Sequence, residues 1–213
     1  MDNKIYWDIL DQKRTDILPL FANFRKDFYL AGGTALALQL GHRDSVDFDF
    51  FCQNSFSTSE LAQKVKQVFA NHHVAKTQEA KDTLSFIIDT DIKISFFTFT
   101  YKLIKPLDEQ KYLKLASIED IACMKLSAIT SRSVLKDYVD LYFILQRFEL
   151  DALLNFAKEK FPIIDTNLIL KSLVYFKDIQ EEPINYKHNS KVSFETIKKY
   201  LLMKARQYLD QYI

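Results

Sequence analysis

All three glycines of this 213-residue chain, Gly32, Gly33 and Gly41, fall within ten residues. They stand just ahead of a stretch that alternates polar and apolar side chains from Ser45 to Phe51. Glycine weakens helix and strand interiors by about 0.5–1 kcal/mol, so a chain this poor in it keeps it for positive φ or for close approach of a ligand. The alternation reads as a strand over 45–51, with Ser45, Asp47 and Asp49 on one face and Val46, Phe48 and Phe50 on the other. Phe28–Ala31 reads as a short buried strand ending at Gly32-Gly33, and a helix is expected from about Thr34 to Leu40.

That arrangement has a chemistry. A Gly-Gly-Thr turn between a strand and a helix offers backbone N–H groups and a helix N-terminus, which together bind phosphate, and Thr34 can add a hydroxyl donor. The bland alternative is a tight turn at Gly33 with Thr34 capping the helix. Asp47 and Asp49 would project from one strand face about 7 Å apart. Two carboxylates so placed repel unless a divalent cation neutralises them, and oxygen-only ligation suits Mg²⁺ or Mn²⁺, which keeps positions for water and substrate phosphates. A solvated outer face is the competing reading of the pair alone. With the glycine turn one short helix earlier, residues 32–49 become a candidate nucleotide and metal site.

The rest of the chain supplies a scaffold. A hydrophobic fraction of 48%, with 18 Phe and 11 Tyr, belongs to a packed globular protein, and 29 basic residues against 28 acidic identify no partner by net charge. No apolar run is long enough to span a bilayer, and the polar start MDNKIYWDILDQKR lacks a signal peptide's apolar core, so a cytoplasmic location with no membrane role is expected. Cys52 and Cys123 lack metal-site or redox spacing and read as buried thiols, while adjacent His72 and His73 read as ordinary surface residues.

Helical spacing of Ile9, Ile17, Leu20, Phe21 and Phe24 predicts a helix over 8–24. Ser57-x-x-Glu60 is a capping box opening an amphipathic helix, and residues 83–100 read as a hairpin around Asp89–Asp91. From Ser117 onward nearly every segment is helical, with boundaries at Ser117, Pro162 and Ser193. A final helix carries Phe194, Ile197, Leu201, Ala205, Tyr208 and Tyr212 on one stripe. The expected fold class is α+β: a small mixed sheet with flanking helices over residues 1–112, then a helical region over 113–213.

The segment LAGGTALALQLGHRDSVDFDFF resembles the first motif of the abortive-infection AbiEii/AbiGii toxin family, within the DNA polymerase beta-like nucleotidyltransferase superfamily. That resemblance, extending over about residues 25–145, implies that Ser45 joins Asp47 and Asp49 at the phosphate or metal site and places Arg43 near a triphosphate. KLSAITSRSVLKDYVDL is similar to the family's later motif and brings Lys125, Arg132, Lys136, Asp137 and Asp140 into consideration. Helical geometry sorts these independently. Lys125 falls on the stripe of Ile118, Ile121, Ala122, Leu126 and Ile129, where it either snorkels or aims at a phosphate. Asp137 falls among Leu141, Ile144 and Phe148 and is the better functional candidate. Asp140 shares an arc with Lys136 and Arg147 and reads as a plain salt bridge.

Superfamily enzymes usually carry a third carboxylate on a neighbouring strand, where this chain has Ser95; Asp91, four residues earlier, is a possible substitute. The resemblance implies transfer of a nucleoside monophosphate from an NTP, with Mg²⁺ held by Asp47 and Asp49, Gly32, Gly33, Thr34 and Ser45 on the phosphates, and Lys125 adding positive charge. It also implies an RNA acceptor such as a tRNA 3′ end, and a paired antitoxin. The basic stretch Lys187 to Arg206 is either an RNA footprint or a solvated helix face. Two other classes remain open: transfer to a small molecule, and a silent module that binds nucleotide or a partner without turnover.

Overall fold

Phe48, Phe50, Leu84, Phe86, Ile94 and Phe96 are all buried, and they occupy alternate positions of three adjacent strands, so one face of the sheet is almost wholly aromatic and aliphatic. The computed structural model describes residues 4–179 and 182–212. Met1–Asn3 of the polar start and the Tyr212 side chain lie outside the described residues.

The seven strands run in the order β3-β4-β5-β2-β1-β7-β6. They are β1 (Tyr29–Ala31), β2 (Phe48–Cys52), β3 (Val74–Ala80), β4 (Thr83–Ile88), β5 (Ile92–Thr98), β6 (Asp108–Glu109) and β7 (Lys114–Leu115). β2 is antiparallel to β1 and parallel to β5, and β7 joins β1 in parallel through Leu30 and Leu115. The sheet is therefore mixed. The hairpin expected over 83–100 is present as β4–β5, and β3 extends it to a three-stranded meander. β3 has no apolar alternation because it is an edge strand exposed along most of its length.

Eight helices accompany the sheet among the described residues: α1 (Gln12–Ile17), α2 (Gly32–Leu40), α3 (Thr58–Val68), α4 (Ile118–Ala128), α5 (Leu135–Ile144), α6 (Leu150–Lys160), α7 (Thr166–Leu173) and α8 (Phe194–Tyr212). The helix expected over 8–24 is instead broken into α1 between two 3₁₀ segments, Trp7–Ile9 and Leu18–Asn23. Pro19 sits at the start of the second segment, where it supplies no N–H for an α-helix to continue. The apolar stripe is used as predicted all the same: Phe21 lies 4.7 Å from Phe48 and 5.0 Å from Phe50, and Phe24 lies 5.3 Å from Phe96. Tilted pairs of this kind add about 0.5–1.5 kcal/mol each beyond area burial.

The strand expected from Ser45 begins only at Phe48. Ser45 to Asp47 is a lead-in, and Val46, assigned to the buried face, is 45% exposed. The helical second half is as expected: Ser117 and Ser193 cap α4 and α8 by accepting the N–H of Asp120 and Thr196, and Ile197, Leu201 and Ala205 of α8 are buried. α4 packs on α2, α5 and α6 and so forms a wall beside the Asp49 end of the sheet.

Candidate active site

Gly32 opens α2 with φ +69 and Gly41 closes it with φ +68, a conformation that side chains resist. At Gly41 a Cβ would also meet the Tyr6 ring at 2.7 Å. Gly33 is bare for a different reason: a Cβ there would come within 2.9 Å of the Arg43 Nη2 and 3.3 Å of the Ser45 Oγ. Ala31 at the N-cap supplies no side-chain hydrogen bond, so the first N–H groups of α2 are not capped from within and remain suited to an anion.

Gly33, Thr34, Arg43, Ser45, Asp47, Asp49, Lys125 and Asp137 line one cavity of about 210 Å³, together with Arg132 and Lys136. Lys125 thus faces the same cleft as Asp47 despite a separation of 78 positions. Gly32 stands just behind, where a Cβ would lie 3.4 Å from the Asp49 carboxylate. Thr34 is turned inward. Its hydroxyl donates to the Asp47 carbonyl and lies 2.8 Å from the Ser45 Oγ, so it ties the lead-in of β2 to α2 and does not cap the helix. Arg14 anchors the same lead-in from the other side, its Nε donating to the Val46 carbonyl at 2.7 Å. Sequence reasoning passed over Arg14, yet it occupies the stripe of Ile17, Phe21 and Phe24, the same signal of a charge on an apolar face that singled out Lys125.

The wall opposite the aspartates is a buried ion network. Asp140, fully buried, accepts from the Arg43 Nε and Nη2 at 2.8 Å each, pairs with the Lys125 Nζ at 2.7 Å, and meets the His42 Nε2 at 2.8 Å. The plain salt bridge expected of Asp140 is therefore corrected to a buried pairing with two cations at once. α5 is buried around most of its circumference, Asp137, Tyr138, Val139, Asp140 and Leu141 included, so no arc of a helical wheel identifies a solvent face. Asp137 pairs with the same Lys125 Nζ at 2.7 Å and accepts from Arg132 at 2.8 Å. Lys136 leaves the network to pair with Glu182.

Electrostatics divide the cavity. The Arg43 and Lys125 charges, with hydrogen bonds from His42 and Arg43, hold Asp140 well below the usual carboxylate range against the strong opposing effect of its burial. Burial pushes His42 below its ordinary value, so the imidazole is neutral at pH 7. Arg43, Lys125 and Arg132 are three cations against two carboxylates, Asp137 and Asp140, leaving the wall net positive. Facing it, burial and then the neighbouring Asp47 charge raise the Asp49 carboxyl above its ordinary value. No hydrogen bond to either aspartate carboxylate forms among the described residues.

Two such carboxylates fit a hard divalent cation. No group of three or more His, Cys, Asp or Glu forms a metal site among the described residues, so the protein offers at most the pair, and water and phosphate oxygens would complete a shell of the kind Mg²⁺ prefers. Ser95 is in register with Asp49 on the neighbouring parallel strand; it is buried and its Oγ has no partner. Asp91 is no substitute. It lies in the turn before β5, pairing with Lys13 at 3.3 Å and Arg14 at 3.6 Å.

The match to known proteins decides the class. A family profile described as "Nucleotidyl transferase AbiEii toxin, Type IV TA system" matches residues 20–207. The chain belongs to the AbiEii nucleotidyltransferase toxin family. It is 37% identical over 190 residues to the uncharacterized protein aq_aa25 of Aquifex aeolicus (strain VF5), covering 86% of this chain and 89% of that one. Its fold is similar to that of MenT4, the nucleotidyltransferase toxin Rv2826c of Mycobacterium tuberculosis H37Rv, with a TM-score of 0.65 at 16% identity over 93% of this chain and 82% of that one. JHP933 of Helicobacter pylori shares the fold at a TM-score of 0.60 and 18% identity, over 97% and 94% of the two chains. The AbiEii chain is accordingly a nucleotidyltransferase, and the cavity that gathers the glycine turn, the aspartate pair and the ion network is its candidate active site.

Elsewhere one further ion pair is fully buried, the Lys160 Nζ with the Asp120 Oδ1 at 2.7 Å, and the other charges are ordinary. His72 pairs with Asp89 at the surface, Cys52 and Cys123 are free and buried, and Lys198 and Lys204 of the basic stretch are paired with Glu195 and Glu149. No helix among the described residues is long and apolar enough to cross a membrane.

Proposed function

We propose that this chain transfers a nucleoside monophosphate from an NTP to the 3′ end of an RNA, tRNA first among candidates, in a Mg²⁺-dependent reaction, and that it acts as the toxin paired with an antitoxin. The observation that carries the reading is the unpaired Asp47–Asp49 couple sharing one cavity with the buried Arg43, Lys125, Asp137 and Asp140 network and with the excess positive charge of half-exposed Arg132. The acceptor hydroxyl gives up its proton to solvent as its oxygen attacks the α-phosphorus, the bond to the α–β bridging oxygen breaks, and pyrophosphate leaves. Asp47 and Asp49 would hold the metal, which when bound neutralises charge developing on the transferring phosphoryl group. The N-terminus of α2 at Gly32 and Gly33, with Ser45, receives the β- and γ-phosphates. Thr34 holds Ser45 and Asp47 in place for them. Lys125 spends two of its three N–H bonds on Asp137 and Asp140, leaving one for a phosphate oxygen. Arg43, clamped by Asp140, contributes charge behind Gly33.

Incubation with Mg²⁺, each labelled NTP and total cellular RNA tests the reading. Label should enter RNA from at least one NTP, and chelation or Asp47→Asn should abolish it. Label appearing only in small molecules, or nucleotide binding with no transfer, would replace this reading with one of the other two.

A further inference from the structure

The face of the sheet that carries Asp49 has a second feature. Ser95 is in register with Asp49 and Phe97 with Phe51, so on β5 the alternate residues Lys93, Ser95 and Phe97 share that face. The rings continue past the strand: Phe51 lies 5.4 Å from Phe97 and 5.8 Å from Phe99, Phe99 lies 5.1 Å from Tyr101, and Tyr101 lies 4.7 Å from Phe161. This chain of aromatics begins two residues beyond Asp49. It ends in a cavity of about 360 Å³ floored by Phe99, Tyr101 and Phe161 and walled by Met124 and Ser131. The core rings Phe48, Phe86 and Phe96 are fully buried on the other face, whereas Phe51, Phe97 and Phe99 are half-buried and Tyr101 is 37% exposed. Of the second set, Phe51 and Phe99 pack against the core and the Lys160 ammonium lies 5.5 Å over the Phe99 ring, which leaves Phe97 and Tyr101 available to something outside the core.

The two cavities share a wall. Met124 and Ser131 face the aromatic cavity, while their chain neighbours Lys125 and Arg132 face the aspartates. One helix and its following turn separate them, about 10–12 Å across.

We propose that the aromatic chain is the track for the acceptor strand: unpaired bases of a single-stranded RNA stack on Phe97 and Tyr101, one base enters the cavity, and the 3′ hydroxyl is delivered at Asp49. The proposal rests on the RNA reading above. Every base has a π face, so such a track binds single strands with little sequence preference, while a duplex hides those faces. Exposed Lys102 next to Tyr101 and the half-exposed Arg132 beside Ser131 supply charge for the phosphates between bases.

The test uses the full chain with an unstructured RNA of about 12 nucleotides, measuring transfer against RNA and NTP concentration and binding by fluorescence anisotropy. Tyr101→Ala should raise the acceptor KM and Kd about tenfold with the NTP KM unchanged, at some loss of melting temperature from its ring contacts with Phe99 and Phe161, and Tyr101→Phe should restore wild-type values of both. Ile163→Glu, at the rim and 94% exposed, should weaken RNA in the same way without touching the core. If the wild-type chain extends this RNA and neither Tyr101→Ala nor Ile163→Glu changes its KM, the track is wrong and the RNA reading stands. Should a blunt duplex of the same sequence bind equally well, stacking is excluded. If the RNA is neither bound nor extended while another class of molecule is labelled, the acceptor reading fails and the track with it.

Discussion

The Lys125 Nζ lies 2.7 Å from the Asp137 Oδ1 and 2.7 Å from the Asp140 Oδ2, all three side chains being buried. One ammonium thus bridges two carboxylates that Arg132 and Arg43 also bind, and its loss takes a buried partner from each. From sequence, Lys125→Ala is expected to cost transfer far more than stability; the network changes that expectation. Breaking a buried pair from one side costs about 3–5 kcal/mol, because an uncompensated charge stays behind. Lys125→Met should therefore lose both transfer and several kcal/mol in denaturant unfolding. The double variant Lys125→Met with Asp137→Asn should be less destabilised than the sum of the singles. Additive losses would show that the pair is not coupled.

Asp49 has the opposite character. Its folded-state value is raised by burial and by Asp47, so its contribution to stability is present below its unfolded value and is lost as pH rises through the raised one. At pH 7 the ionised pair is a cost that a divalent cation relieves. Asp49→Asn should raise the melting temperature of the metal-free protein at pH 7, with the gain shrinking toward pH 4, and should remove the Mg²⁺-dependent rise seen in the wild type. A variant less stable than wild type at pH 7, or still stabilised by Mg²⁺, would rule out the strained pair.

The parts of this site that were legible in sequence are the local ones. Gly32 and Gly41 announce their positive φ by scarcity, Ser57 and Ser117 announce their helices by capping, and Asp47-x-Asp49 with the family motif places the cleft. What was not legible is what spans the chain: Arg43 and Asp140 are 97 positions apart, and no periodicity links them. Asp140 reads as a plain salt bridge with Lys136 and Arg147 because a wheel assumes one wet face, which α5 lacks. Arg14 carried a usable signal in its place on the Ile17–Phe21–Phe24 stripe.

His42 and Asp140 make the network sensitive to acid in two windows. His42 faces Asp140, Arg43 and Lys125, and its value is lowered from 6.5; that of Asp140 is lowered from 3.8. Depressed groups contribute stability above their unfolded values and lose it as pH falls through the folded ones, because the unfolded chain takes up protons first. Melting temperature should decline below about pH 6.5 through His42 and again below about pH 4 through Asp140. His42→Gln should flatten the first decline and leave the second. Asp140→Asn should cost about 3–5 kcal/mol at pH 7, since Arg43 and Lys125 lose their partner. An unchanged slope between pH 7 and 5 in His42→Gln would discount the imidazole.

Gly32 and Gly33 are adjacent but should fail in different ways. Gly32→Ala places a Cβ at φ +69, a strained conformation that costs about 1–2 kcal/mol, so the melting temperature should fall. Gly33 has no such strain and lies inside α2, where alanine gains about 1 kcal/mol in helix propensity. Its Cβ would instead sit 2.9 Å from the Arg43 Nη2, and that guanidinium is clamped to buried Asp140 and can yield little. Gly33→Ala should therefore strain the Arg43–Asp140 pair and lower stability, and should also lose nucleotide binding, read as a rise in the NTP KM of tenfold or more, about 1.4 kcal/mol. Gly32→Ala that stays as stable as wild type, or Gly33→Ala that turns over NTP with an unchanged KM, would separate the glycine turn from phosphate binding and return it to a purely structural role.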